Sequence, residues 1–388
     1  MTTDQPPTIP IDVPARHGLL SVLFSEAVTP DTRLQCSKLS GSAFGKSLSA
    51  PQFLEREALL GTHPLAVGTR WRFWNLTLAE ASAGNDDDNE EGAKVVALCK
   101  TLHRDLLIRD ERGTRREQGY CLCSVVTDDE YRGRGLASVL LGKVAEWMDG
   151  EGGAVASMLY SDVGDFYVSK GWDMLDALQS TLTVPPSLAP GEKSAKLPTT
   201  RLLDADEIPA LAERDIQDLE TEFRNADLSP DTTLLTVLPT PDMISWLQTR
   251  ADFMNTKLAG QTPKAKGSIC ESAGAWVYWF HDLHARKLTI QRVKLPQTQT
   301  QAGELATIQA VGALLLSAVE EAARWKTTKA VIWNPGPEIR GATRYLAEEF
   351  GIGVEEERRE TKNIPCLRWR GDEKKRTRVW PNEYYAWS

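Results

Sequence analysis

The 388-residue sequence contains no uninterrupted apolar run long enough to cross a bilayer, a crossing that takes about 20 residues. The opening Met1-Thr-Thr-Asp-Gln-Pro-Pro has no basic start and no apolar stretch behind it, so a secretory signal is not expected and a cytoplasmic location is. Cysteine is sparse. Cys36, Cys99, Cys121, Cys123, Cys270 and Cys366 are scattered, with no two pairs at zinc-ligand spacing, so neither a metal nor a disulfide framework is expected. Cys121 and Cys123 fall two apart on a strand-like segment and share a face, as small core residues do. Basic residues are not in excess. The formal net charge is −9, which argues against nucleic acid as a default partner and favours a cationic one such as an amine. No Gly-Lys-Ser/Thr ending and no three-glycine dinucleotide spacing occurs, which excludes a P-loop and a Rossmann turn.

Length and ordinary globular composition imply more than one domain. Residues 1–15 are Pro-rich and polar and read as a loose arm, 16–184 as a first α/β unit, the Pro/Ser/Gly/Lys-rich 185–198 as a linker, and 199–388 as a second α/β unit. In the first, Trp71 to Leu78 alternates as a strand. Val95 to Arg109 and Gly119 to Thr127 form a hairpin pair around a charged turn. Leu136, Leu140, Val144 and Trp147 make one helical stripe, ended by Gly150 to Gly153. Ala154 to Tyr160 reads as a buried strand, Asp162 to Lys170 as a short helix and Leu178 to Val184 as a last strand. The run Gly84-Asn-Asp-Asp-Asp-Asn-Glu-Glu-Gly92 repels itself and reads as a loop, since its spacing fits no helix-loop-helix calcium motif.

The second half holds helical stretches at Asp204–Asn225 and Met243–Met254, paired strands at Ala275–Phe280 and Lys287–Leu295, and a long stripe through Ile308, Val311, Leu315 and Ala322. A strand at Ala330–Trp333, a helix at Ala342–Phe350 and a strand at Pro365–Arg370 follow. This order repeats that of the first half. The connection Pro296–Gly303 lacks any Arg/Gly pattern, so the second unit reads as a degenerate copy, or else a plain α/β cap.

Chemistry concentrates in Val125-Val-Thr-Asp-Asp-Glu-Tyr-Arg-Gly-Arg-Gly-Leu-Ala137, where a strand ends, the chain turns and a helix starts. First-turn helix amides have no internal partners and sit at the positive dipole end, so a diphosphate is well held there. Gly133 and Gly135 permit unusual backbone angles and close ligand approach, and Arg132 and Arg134 add positive charge. The segment resembles motif A of the GNAT acetyltransferases, Gln/Arg-x-x-Gly-x-Gly/Ala, with Arg132, Gly135 and Ala137 in its three positions. Phe166-Tyr-Val-Ser-Lys-Gly-Trp172 is similar to the Phe-Tyr-x-x-x-Gly-aromatic stretch of that family. The family often has proline where Asp129 stands, which alters the turn but not its amides.

The resemblance implies a GNAT-type mixed sheet flanked by helices, with acetyl-CoA as cosubstrate and no metal. It places the pantetheine arm along Val125, Val126 and Thr127, and the pyrophosphate on the amides of Arg132, Gly133, Arg134, Gly135, Leu136 and Ala137. It offers Tyr167 as general acid for the departing thiolate, the alternative being simple packing. A lysine-type amine has a solution pKa of about 10.4 and must lose a proton before it attacks; Glu130, Asp162 and His103 are the candidate bases. A backbone amide near Thr127 would polarise the thioester carbonyl.

The whole chain resembles the fungal lysine N6-acetyltransferase-like proteins, which implies a small-molecule amine acceptor, most specifically free L-lysine, and a place in lysine catabolism. Arg70, Arg72 and Arg104 are candidates for a carboxylate clamp, and Trp71 and Trp74 for the walls of a slot. The aromatic tail 380–388 is expected to dock in a groove and reach the acceptor site. Lys374-Lys-Arg-Thr-Arg378 reads as a solvated loop. A protein or peptide acetyltransferase and a non-catalytic acyl-CoA-binding scaffold are the alternatives.

Overall fold

The computed structural model describes residues 9–15, 18–45, 47–79, 94–186, 196–296, 303–372 and 375–387. The chain opens with a hairpin, β1 (Ile9–Ala15) and β2 (Gly18–Glu26). Helices α1 (Pro30–Phe44) and α2 (Ala50–Gly61) follow. Both start where the sequence supplies a cap: Thr29 accepts from the Thr32 amide, and Ser49 with Gln52 forms a reciprocal capping box. Then come β3 (Trp71–Leu78), β4 (Val95–Asp110), β5 (Gly113–Thr127), α3 (Leu136–Asp149), β6 (Ala156–Ser161), β7 (Asp173–Met174) and β8 (Leu178–Thr183). The second half runs β9 (Arg201–Leu203), α4 (Ile208–Asn225), β10 (Thr232–Val237), α5 (Pro241–Ala259), β11 (Gly267–Cys270), β12 (Ala275–Asp282) and β13 (Lys287–Lys294). It closes with α6 (Glu304–Arg324), β14 (Lys329–Trp333), α7 (Pro337–Phe350), β15 (Gly353–Arg358), β16 (Ile364–Trp369) and β17 (Arg376–Val379).

Two sheets result. The first has the order β1-β2-β3-β4-β5-β6-β16-β7, with β10 and β17 attached beside β4, and the second has β15-β8-β14-β13-β12-β11-β9. In each, one parallel pair is linked by a crossover helix: β5-α3-β6 in the first and β13-α6-β14 in the second. The second half is therefore a GNAT-like copy of the first. The first parallel pair is short. It spans Gly119↔Ala156 to Cys121↔Met158. At its base the strands approach so closely that a Cβ on Gly119 would lie 2.3 Å from the Ala156 carbonyl oxygen. Beyond Cys121 they separate.

Several expectations need correction. Ile9–Ala15 is not a loose arm: it pairs along its whole length with β2, and Val13 buries against Val22 and Phe24. The sheets do not divide at the Pro-rich segment. β8, read as the last strand of the first unit, pairs with β14 and β15 of the second sheet. Conversely β16, read as part of the second unit, sits between β6 and β7 of the first. A short apolar strand carries no mark of which sheet it completes. The short helix expected over Asp162–Lys170 is only a 3-10 turn at Val168–Lys170. Helix α6 does have the length and apolarity of a membrane span, but two thirds of that window is buried and Ala310–Val319 forms the core beneath the second sheet. The acidic run, most of the linker and most of the Pro296–Gly303 connection lie outside the described residues.

Candidate active site

The first wall of the site is the separation of β5 from β6. On its other edge β5 stays paired to β4 through Thr127↔Ala97, while β6 is held by β16 through Ser161↔Ile364. The facing edges of Leu122–Thr127 and Leu159–Ser161 thus diverge around a gap. Within it β5 carries a bulge. Lys100 pairs with Cys123 and Leu98 with Val126, so two residues of β5 oppose Cys99 alone. Ser124 takes a φ of 53° there, rare for a side chain other than glycine. Bulges of this kind turn a peptide unit out of the ladder and gather beside active sites.

At the end of β5 the chain passes Asp128, whose side chain accepts from the Glu130 amide, and reaches Gly133 and Gly135 at φ 74° and 78°. An added Cβ would crowd little at either; the positive φ is what demands glycine. Gly135 caps α3 without any side-chain hydrogen bond. The amides of Leu136, Ala137 and Ser138 are left for an external acceptor at the positive end of the helix. The arginines partly hold the turn itself. Arg132 pairs with Asp129 at 2.7 Å and donates to the Thr127 carbonyl at 3.3 Å, and Arg134 donates to the Glu130 carbonyl at 3.1 Å.

On the opposite side of the gap lies a cavity of about 190 Å³. Its walls are the bulge (Leu122, Cys123, Ser124), the end of β6 (Tyr160, Asp162), helices α1 and α2, Trp71, Lys100, and four groups from the second half: Trp246 and Arg250 of α5, Asn363, and Trp387 of the C-terminal tail. Trp246 and Arg250 are one helical turn apart and so share a face. A buried charged cluster sits in this wall. Glu57 accepts from the Lys100 ammonium and from Nη2 of Arg56 at 3.1 Å, and all three residues are under a tenth exposed. Burial pushes the Glu57 carboxyl up, but Lys100 and Arg56 outweigh it and hold it below the ordinary carboxylate range.

The tail reaches this cavity because both halves anchor it. Tyr385 donates to the Val237 carbonyl at 2.6 Å, Arg104 to the Ala386 carbonyl at 3.4 Å, and the Trp387 indole to Asn363 Oδ1 at 3.2 Å.

Asp162 lies on the lip and accepts from the Asn363 amide at 2.7 Å. Tyr167 packs in the core between the sheet and α3, against Phe166. Burial raises its phenol well above the ordinary range, with Asp162 among the groups that add to the shift. Glu130 is on the surface of the phosphate turn, bonded to Lys94 at 2.9 Å, and does not line the cavity. His103 bonds its neighbour Asp105 and is also elsewhere. None of the three arginines offered as a clamp is available. Arg72 pairs with Glu26 and Arg104 gives both Nη to carbonyls, neither lining the cavity, and Arg70 stands outside, 3.9 Å from Asp242. Trp71 lines the cavity, whereas Trp74 stacks on Phe24 in the core. The sequence reading missed Arg56, Glu57, Lys100, Trp246, Arg250 and Asn363. Lys100 carried a signal, as a lone lysine inside the apolar strand Val95–Ile108 must find a buried partner.

A strand pair splayed beside an amide-lined turn defines a GNAT acyltransferase, and the comparisons agree. The general acetyltransferase (GNAT) family model matches residues 64–166. The model described as the LYC1 GNAT-like C-terminal domain matches 182–388. More than half of the chain is covered by that second match, and the protein belongs to this LYC1-like branch of the GNAT family. It is an acetyl-CoA-dependent N-acetyltransferase by type. Among similar proteins are a lysine acetyltransferase of Yarrowia lipolytica, 23% identical over 71% of this chain and 76% of its own. An uncharacterized protein of Saccharomyces cerevisiae is 25% identical over 75% and 78%. A probable N-acyltransferase of Enterococcus faecalis shares the fold at a TM-score of 0.53 with 12% identity, over 91% of this chain and 74% of that one. A GCN5-related N-acetyltransferase of Anabaena variabilis does so at 0.51, also with 12% identity, over 90% and 74%.

Among the described residues no group of His, Cys, Asp and Glu is placed to hold a metal. The residues present do fit acetyl-CoA. The Leu136–Ser138 amides and the exposed Arg132 would hold the diphosphate, and the free edge of Val125–Thr127 would pair with the pantetheine amides.

Proposed function

We propose that the protein acetylates the side-chain amine of a free amino acid, L-lysine first among them. The observation that carries this reading is the small size of the half-open acceptor cavity, about 190 Å³. Trp387, Trp246 and Trp71 wall it at the β5 bulge, where an extended peptide would need an open groove. The Yarrowia lipolytica relative is by name a lysine acetyltransferase, which supports a lysine amine as the acceptor.

In the proposed reaction the neutral amine nitrogen attacks the thioester carbonyl carbon, and the carbon–sulfur bond breaks. Asp162, on the lip at the end of β6, takes the amine proton directly or through water. Tyr167, kept protonated by burial, gives its proton to the departing thiolate and recovers one from solvent. The peptide unit turned out at Ser124 offers its N–H to the carbonyl oxygen. Acetyl-CoA supplies the activated acyl group and the leaving thiol.

The test is thiol release from acetyl-CoA with free lysine, ornithine, polyamines and lysine peptides side by side. Free lysine is expected to be the best acceptor. Faster turnover of peptides overturns the small-acceptor reading, and acetyl-CoA binding without transfer to any amine overturns the catalytic one.

A further inference from the structure

The acceptor cavity is rich in donors and short of acceptors. Arg56 is 6% exposed; its Nη2 is used by Glu57, but its Nε is buried without a partner among the described residues. The same holds for the indole nitrogen of Trp71, also 6% exposed. Arg250 completes the set. Its guanidinium stacks 4.8 Å from the Trp387 ring, which Asn363 fixes in place. No hydrogen bond or ion pair joins Arg250 to any described residue. Burial, together with Arg56 close by, lowers its hold on its proton. Among the described lining residues, Arg56, Lys100 and Arg250 face two carboxylates, Glu57 inside and Asp162 at the lip, and Asp282 acts on Arg250 from outside the lining. Arg250 is half-buried, and Glu57 and Asp282 act on it without bonding to it; a desolvated arginine that no carboxylate bonds is costly. A carboxylate accepts hydrogen bonds and donates none, and it matches the planar arginine fork.

We infer that Arg250, supported by Arg56 and Trp71, is the binding site for the carboxylate of the acceptor, so that the protein selects amino acids over simple amines. This rests on the small-acceptor reading above, which names the amine end of the substrate; the carboxylate end is the new assignment. Two consequences follow from the position of Arg250. The guanidinium comes from α5, in the second half, while the acetyl group would be delivered from the first, so acceptor choice belongs to the junction of the two. The stack on Trp387 makes the tail part of the same subsite.

Calorimetric binding in the presence of coenzyme A tests this with L-lysine and with 1,5-diaminopentane, which is lysine without its carboxylate. The intact chain and the Arg250→Gln and Arg250→Lys variants are compared, and coenzyme A affinity serves as the check on folding. Lysine is expected to bind the unaltered protein about 30-fold or more tighter than the diamine, the scale of a charge-assisted pair in a dry site. Arg250→Gln should collapse that preference to within about threefold, and Arg250→Lys should restore part of it, because the charge returns without the fork. Equal binding of the two ligands, no binding of lysine, or a preference that survives Arg250→Gln overturns the assignment. Acetyl transfer is measured alongside: a lysine preference that depends on Arg250, without transfer, supports the subsite and overturns the catalytic reading alone.

Discussion

Glu383 and Arg292 meet in the interior of the second half. Nη1 of Arg292 donates to one Glu383 oxygen at 3.1 Å while the Val293 amide donates to the other at 3.1 Å. The rest of the Arg292 fork is held by Asp215 at 2.8 and 3.0 Å. The pairing lies past the short parallel contact of β13 with β14, which ends at Thr289↔Val331. There Tyr384 packs 4.0 Å from Trp333, and Asn334 donates to the Asn382 carbonyl. The tail therefore fills in the second unit the kind of opening that the first unit leaves free between β5 and β6. The tail occupying this position is the anchor that carries Trp387 to the cavity.

Glu383→Ala should separate anchoring from catalysis. Removing one partner of a buried pair costs on the order of 3 kcal/mol, although Asp215 still satisfies Arg292. Chemical denaturation is expected to register that loss. Steady-state kinetics should show an acceptor KM raised about tenfold, roughly 1.4 kcal/mol, with acetyl-CoA affinity unchanged. Deleting 380–388 should act in the same direction and further. An unaltered acceptor KM in both would remove the tail from the site.

Tyr167→Phe removes the proposed proton donor and leaves the ring. General acid–base groups contribute about 100-fold or more, so kcat should fall by roughly that factor while acetyl-CoA still binds. A kcat within twofold of the parent would leave Tyr167 with packing alone.

At Gly135, φ 78°, an alanine pays about 1–2 kcal/mol for the left-handed backbone. The strain falls on the turn whose amides face the diphosphate. Gly135→Ala should weaken acetyl-CoA binding by titration calorimetry more than it lowers thermal stability. The reverse pattern would place the phosphates elsewhere.

Glu57→Gln tests the buried cluster. It leaves Lys100 and Arg56 without their carboxylate, which should cost about 3–5 kcal/mol at neutral pH. The folded pKa of Glu57 lies below the ordinary 4.5. Its stabilising effect is thus fully present above that value and is lost as pH falls through the lower, folded one. The stability gap between parent and variant should therefore narrow only below pH 4.5. A gap independent of pH down to the acid transition would show that the charge of Glu57 is not what holds the cluster.

Much of the strand–turn–helix of the first half was legible along the chain because its signals are local. The Arg/Gly turn, its flanking strand and the stripe of α3 lie within one supersecondary unit, and Phe166–Trp172 follows one strand later. The acceptor half was not legible. Arg250 sits on a largely buried helix whose sequence does not single it out, and its neighbours in space, Ser124, Asp162 and Trp387, are distant in sequence. Arg72 and Arg104 were plausible clamps by position, yet nearby Glu26 and a set of carbonyls had already claimed them. The short strands β8 and β16 gave no sign of having exchanged sheets.

The sequence by itself determined that one strand–turn–helix would leave helix-start amides free, since glycine at positive φ and an uncapped helix start are consequences of neighbouring residues. It also determined that the second half, lacking that turn, would follow the same order of elements. The tertiary structure decided where the acceptor goes. Burying Arg56, Glu57 and Lys100 together, bringing α5 against the β5 bulge and lodging the tail in the second cleft are long-range outcomes of packing, settled by which buried charges and aromatic faces could find partners.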